Sequence, residues 1–92
     1  MTALPLGKVY GTMGAVVAFA RALDEDMNIY LARHANGGDW GEVSAHDRQA
    51  NEHALKHGLR VLSAYTLRTG EKIWIITEAD RSVTTILLPE EY

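Results

Sequence analysis

The residues best suited to chemistry lie in a short polar stretch, residues 77–82, between two apolar segments. Glu78 or Asp80 could act as a general base, and Arg81 could bind an anion. The alternative is a structural turn, in which Asp80 accepts hydrogen bonds from backbone N–H groups and Arg81 forms a bidentate pair with a carboxylate. Both interpretations stay open for the stretch as a whole, and for Arg81 we favour the structural pair.

A glycine-rich segment, residues 37–41, is a second candidate because it places Asp39 and Trp40 between glycines. Glycine lets the backbone approach a ligand closely, and an indole ring offers a stacking surface. The alternative, which we favour, is a helix that ends at residues 36–38, followed by a Trp40 that packs onto the core. The segment matches neither a phosphate-binding loop nor a dinucleotide fingerprint.

Histidine recurs along one stripe of the segment 45–57. His53 and His57 have the spacing to share a divalent metal, but a third ligand such as His34 or Asp39 would have to come from elsewhere. Because the stripe lacks the glutamate and the third ligand that make such motifs specific, we predict no metal site. The serines lack the context of a nucleophile, so we also predict no catalytic residue and no cofactor.

The sequence therefore predicts seven candidates for binding a ligand or a partner: His34, Asp39, Trp40, Thr77, Glu78, Asp80 and Arg81. A concave pocket that collects Asp39 and Trp40 with the acids and the arginine of residues 77–82 would favour a ligand site. A flat or fully packed arrangement would argue against one.

Composition excludes several classes of protein. The chain has no cysteine, which excludes disulfides and thiolate catalysis, and its net charge of −3 argues against a nucleic-acid partner. Glycine interrupts the apolar residues 9–20 and no basic cluster precedes them, so we expect neither a signal peptide nor a membrane span. We predict a single cytoplasmic domain over residues 1–92. We also predict a homodimer, because a small domain without covalent cross-links gains by burying more apolar surface.

The spacing of apolar residues predicts an α+β fold, in which about three N-terminal helices pack on a C-terminal three-stranded antiparallel meander. The predicted helices cover residues 13–23, about 27–35 and 45–57. Val16, Phe19, Ala20 and Leu23 form the expected core-facing side of the first helix. The predicted strands cover about 59–67, 72–77 and 83–88, with a further short edge strand near residues 8–10.

About two-thirds of the chain resembles small plasmid-related proteins carried on bacterial plasmids and integrated mobile elements. The resemblance lies in His34–Gly41, Asn51, Leu62–Tyr65, Trp74–Ser82 and Thr84–Tyr92, and the T-E-A-D-R-S-x-T-T run is its most specific part. It implies a mobile-element setting and no assigned activity. The chain is also similar to RelE/ParE-type toxins in its length and in having helices before the sheet. A toxin that cuts RNA needs a basic surface, however, and the net charge of this chain is −3.

We therefore expect a cytoplasmic accessory protein of a mobile element that acts by protein–protein interaction with another protein or with itself. The alternative is a small ligand- or nucleotide-binding domain, or an enzyme, that uses the polar cluster at residues 77–82. A RelE/ParE-like toxin is the third and least favoured possibility.

Overall fold

A computed structural model of the chain describes residues 4–36 and 39–92. The elements in chain order are β1 (Lys8–Gly11), α1 (Met13–Arg21), α2 (Met27–Ala35), α3 (Ala45–His57), β2 (Val61–Thr66), β3 (Lys72–Thr77) and β4 (Val83–Leu87), followed by a 3₁₀ turn at Pro89–Glu91. The fold class is α+β, as predicted.

The sheet has four strands and is mixed, in the order β1-β4-β3-β2. Strands β2, β3 and β4 form the predicted antiparallel meander, but β1 adds to it in parallel beside β4, from Lys8 opposite Val83 to Gly11 opposite Ile86. The prediction of a three-stranded antiparallel sheet was therefore wrong in strand number and in type. A four-residue strand whose residues are all exposed carries no apolar alternation from which its partner could be inferred.

Side-chain caps set the starts of the three helices. Thr12, Asp26 and Ser44 have extended backbones, and each side chain accepts a hydrogen bond from a backbone N–H in the first turn of the following helix. Helix α3 ends at Gly58, whose φ of 67° is left-handed. Helix α1 ends two residues before the predicted position, and the glycines of the predicted stop after α2, Gly37 and Gly38, lie outside the described residues.

All three helices lie on one face of the sheet. The larger core cluster joins alanines of α1 and Tyr30 of α2 to Tyr65, Ile73, Ile75 and Ile86, whose alternating positions point to that face. A smaller cluster joins Leu4, Trp40, Ala54 and Val61 beneath α3.

Helix α1 packs on the sheet through a different side from the one predicted. Ala15 and Ala18 of the helix and its C-cap residue Ala22 are buried. Of the predicted side, Phe19 is partly buried against the core, whereas Val16 is half exposed and Leu23 is almost fully exposed. Small alanine side chains let the helix backbone approach the sheet closely. Within the described residues, the structure contains no helix with the length and apolar character needed to cross a membrane.

Candidate functional site

His34 lies at the centre of a chain of buried polar side chains beneath the helices. Its Nδ1 is 2.5 Å from Ser63 Oγ in β2, and its Nε2 is 2.8 Å from Thr77 Oγ1 in β3. Thr77 in turn lies 2.8 Å from Thr84 Oγ1 in β4, which donates to the Leu6 carbonyl at 2.7 Å. The four side chains are fully buried.

The bond from Thr84 to the Leu6 carbonyl fixes the direction of the two hydrogen bonds before it. Thr84 has a single hydroxyl proton and donates it to a carbonyl, so Thr77 must donate to Thr84. Thr77 is then an acceptor for His34 Nε2–H. Burial favours the neutral imidazole, so Nδ1 carries no proton and accepts the hydrogen bond from Ser63. Each buried polar group in this series of hydrogen bonds then has a partner.

Burial lowers the pKa of His34 from its ordinary 6.5 to about 4, because the charged imidazolium would lose its hydration. A serine and a neutral histidine at hydrogen-bonding distance are the elements of a nucleophilic dyad. Here both groups are closed to solvent and to any substrate. This series of hydrogen bonds instead joins α2 to β2, β3 and β4 and to the N-terminal segment.

Sequence analysis identified His34 and Thr77 as candidates but missed Ser63 and Thr84. The available signal was their position, since each is a polar residue at an inward-facing position of an otherwise apolar strand. Such a residue requires a buried partner.

Asp39 is exposed and forms a bidentate ion pair with Arg33 of α2. The distances are 2.7 Å from Nε to Oδ2 and 3.1 Å from Nη2 to Oδ1. The same guanidinium lies 4.5 Å from the centre of the Tyr65 ring, and the Tyr65 hydroxyl donates to the Asp39 carbonyl. The hydrogen bond from Arg33 is the main reason why the pKa of Asp39 lies below its ordinary value. This arrangement fixes the start of the loop before Trp40.

Trp40 packs inside the smaller core cluster and is almost completely buried. Its carbonyl accepts a hydrogen bond from Ala64 N of β2, and Arg48 lies 5.8 Å from the centre of its ring. Its Nε1 is buried without a hydrogen-bond partner. The ring is a core anchor, which is the favoured interpretation of the sequence, and it offers no exposed face for stacking.

Asp80 and Glu78 lie in the exposed turn between β3 and β4. Asp80 Oδ1 accepts hydrogen bonds from the backbone N–H of Ser82 at 3.0 Å and from its hydroxyl at 2.6 Å. These bonds lower the pKa of Asp80, and the bond from the Ser82 hydroxyl has the larger effect. Glu78 contributes its backbone to the turn, since its carbonyl accepts from Arg81 N at 2.9 Å.

Arg81 contacts the end of α3 and not the carboxylate that the sequence analysis expected. Its Nη1 donates to the Leu59 carbonyl at 2.5 Å, and its Nη2 donates to the Ala54 carbonyl at 3.1 Å. Ala54 lies in the last turn of α3, where the helix dipole makes the carbonyls partly negative and a guanidinium is favourable. The Ala54 carbonyl also accepts from the backbone N–H groups of Gly58 and Leu59, and Leu59 follows the helix. The partners of this guanidinium are main-chain carbonyls, and the carboxylate pair that the sequence analysis favoured for Arg81 is not formed.

The seven candidates do not form one concave site. Two are fully buried in the polar chain, Trp40 is in the core, and the others lie in two separate loops. Two surface pockets lie among the described residues, of about 280 Å³ beside Arg21 and Arg68 and about 230 Å³ beside Glu42 and Trp74, and none of the seven lines either pocket. The described residues also contain no group of three histidine, aspartate or glutamate side chains that could hold a metal, although His53 and His57 stack at 4.1 Å.

One exposed apolar surface was missed by the sequence analysis. It consists of Val9 of β1 with Met13, Val16 and Val17 of α1, and we call it the β1–α1 surface. Its side chains are exposed by between 37% (Val17) and 79% (Met13). Tyr10 is also exposed and projects from the opposite face of the sheet. Residues 9–20 contain no charged side chain, which was the available signal. A helix that is apolar on all sides is normally covered on all sides.

Comparison with protein-family models, with curated proteins and with solved structures gives no match for this chain. The resemblance to plasmid-related proteins therefore stays a prediction.

Proposed function

We propose that this protein is an accessory protein of a mobile genetic element and acts by protein–protein contact and not by catalysis. The mobile-element setting rests on the sequence resemblance. The observation that carries the mode of action is the β1–α1 surface, because contiguous exposed apolar patches on small proteins mark interaction sites.

The candidate residues support this proposal because their side chains form hydrogen bonds with other parts of the same molecule. His34 and Thr77 bond to other buried side chains, Arg81 binds the carbonyl of Ala54 in α3, and Asp80 binds Ser82 in its own turn. The alternative of a ligand site at residues 77–82 has less support, since these side chains are turned to different internal partners.

The test compares the wild type with Val16→Glu, which places a charge in the β1–α1 surface. The matched control is Ile29→Glu, at a similarly exposed aliphatic position on α2. We expect the wild type and the control to show the same interaction, either self-association in sedimentation or specific capture of a protein from a bacterial host, and Val16→Glu to lose it. A wild type that shows neither self-association nor any capture that depends on Val16 would contradict the proposal.

A further inference from the structure

The two edges of the sheet differ, and this difference identifies where a partner strand fits. The outer edge of β2 is covered: Asn51 of α3 forms two hydrogen bonds with the backbone of Leu62, and the loop at residues 40–42 pairs with the backbone of Ala64. At the other edge, β1 bonds only to β4 among the described strands. Uncovered strand edges are templates for pairing with another strand.

The backbone pattern shows which groups of β1 are open. Lys8 N–H donates to the Ser82 carbonyl and Thr12 N–H donates to the Ile86 carbonyl, both toward β4. Since backbone groups alternate in direction along a strand, those of Val9 and Gly11 point away from β4. The open edge therefore presents two N–H groups and two carbonyls.

The apolar side of α1 runs beside this open edge. A Cβ built on Gly11 would lie 3.4 Å from Val16 Cγ2, so Val16 is next to the strand. Met13 and Ala20 lie three residues before and four residues after Val16, on the same side of the helix. Arg21, the charged residue of α1, is paired with Glu71 in the turn before β3.

Resting on the proposed function, we infer that the partner of the β1–α1 surface is a second copy of this chain. The two β1 strands pair antiparallel about a two-fold axis at Tyr10 and join the two sheets. In that register Val9 faces the partner's Gly11, and Gly11 faces the partner's Val9. These two pairs form four hydrogen bonds, which use all the backbone groups of the two residues that point away from β4. The two α1 helices meet on one face of the joined sheet, and Tyr10 faces the partner's Tyr10 on the other.

Charge and area favour a second copy over a different protein. Residues close to a two-fold axis meet their own counterparts, which repel each other where they are charged, and residues 9–20 are uncharged. Together with Tyr10, the side chains of the β1–α1 surface expose on the order of 500 Å², and the strand backbone and Ala20 add to the area that a second copy would bury. A stable interface buries roughly 800 Å² per partner. Gly11 supplies the space that the partner's Val9 side chain needs.

The decisive experiment uses the absence of cysteine in the chain. In the inferred register the Tyr10 Cα atoms of the two copies are about 4.5 Å apart, within the range of a disulfide. We expect Tyr10→Cys to form a covalent dimer rapidly under mild oxidation, at least tenfold faster than the equally exposed control Ile29→Cys. Equal rates for the two variants would overturn the inference.

Sedimentation of proteins without cysteine gives an independent readout. We expect the wild type and Ile29→Glu to be dimers at tens of micromolar and Val16→Glu to be a monomer there, with circular dichroism confirming that the variant is folded. A dimeric Val16→Glu would overturn the inference. A monomeric wild type that captures another protein through Val16 would also overturn it and would leave the proposed function standing.

Discussion

Arg81 combines an unfavourable backbone conformation with a side chain that binds the end of a helix. Its φ of 64° is left-handed, a conformation that costs an L-residue roughly 1–2 kcal/mol. The guanidinium contacts of Arg81 with the Ala54 and Leu59 carbonyls compensate for that cost. The side chain of Arg81 thus stabilises the left-handed conformation of its own backbone.

For Arg81 we predict that replacement by alanine destabilises the fold by about 1–3 kcal/mol, because charged hydrogen bonds to the end of α3 are lost. Arg81→Gly loses the same contacts but adopts the left-handed backbone freely, so it should be about 1 kcal/mol more stable than Arg81→Ala. Chemical unfolding measures both values. Lys56→Ala, which removes an exposed cation from the last turn of α3, is the control and should cost less than about 0.5 kcal/mol. An Arg81→Ala value equal to that of the control would refute the capping role.

His34 makes the stability of the fold depend on pH. The unfolded chain protonates this imidazole below about pH 6.5, whereas in the folded protein its pKa is about 4. The unfolded state therefore binds more protons between these values, and stability falls as the pH drops. Above pH 6.5 both states are neutral, so His34 imposes no cost there.

We predict that His34 alone accounts for a loss of about 2 kcal/mol in unfolding free energy between pH 7.5 and pH 5. The His34→Gln variant is less stable at every pH but should have a shallower pH dependence by that amount. Denaturant unfolding at the two pH values measures both slopes. His53→Gln, an exposed control, should keep the slope of the wild type. Parallel slopes for the wild type and His34→Gln would show that the buried imidazole is not the origin.

At the scale of elements, Asn51 shows how α3 joins the sheet. Its Nδ2 donates to the Leu62 carbonyl at 2.6 Å, and its Oδ1 accepts from Leu62 N at 3.0 Å, so one side chain replaces a neighbouring strand. This bidentate contact adds to the few apolar contacts of α3, whose buried residues are Asn51 and Ala54.

We predict that Asn51→Ala destabilises the protein by about 2–4 kcal/mol, because both backbone groups of Leu62 lose their partners at a partly buried edge. The control is Gln49→Ala, at an exposed position of the same helix, which should change stability by less than about 0.5 kcal/mol. Thermal melts of the two variants decide the matter. A small effect of Asn51→Ala would mean that water replaces the side chain at Leu62.

The sequence predicts those elements whose signals are local. The bounds of α3 and β3 follow from a serine cap, a glycine stop and a hairpin glycine, and the structure agrees with them. The parallel pairing of β1 with β4 is a contact between residues about 75 positions apart, and no local pattern encodes it. The same limit applies to the site, since Ser63 meets His34 through the fold and not through spacing along the chain.

The burial of α1 shows a further limit of periodicity. The helix is apolar on both sides, so its pattern predicts an apolar face but not which face the chain itself covers. Alanine faces the sheet, Phe19 packs partly against the core, and the valines and Met13 face outward. The sequence analysis took the outward side for the core side because it is the more strongly apolar one.

At the scale of the whole molecule, two features favour self-association. The β1 edge of the sheet is open whereas the β2 edge is covered, and the outer side of α1 is uncharged. An association that exists only in the folded state stabilises that state by mass action. The thermal midpoint of this protein should therefore depend on its concentration, whereas the midpoint of a monomer does not.

We predict that raising the wild-type concentration from about 5 to 500 μM raises the thermal midpoint by about 5–10 °C, given the unfolding entropy of a dimer of this size. Val16→Glu weakens the interface and should bring the shift near zero, while Ile29→Glu should keep the full shift because it lies outside the β1–α1 surface. Differential scanning calorimetry over this range measures the three shifts under identical buffer conditions. A wild-type midpoint that stays constant over the hundredfold range would mean that the exposed side of α1 is not covered by a second copy.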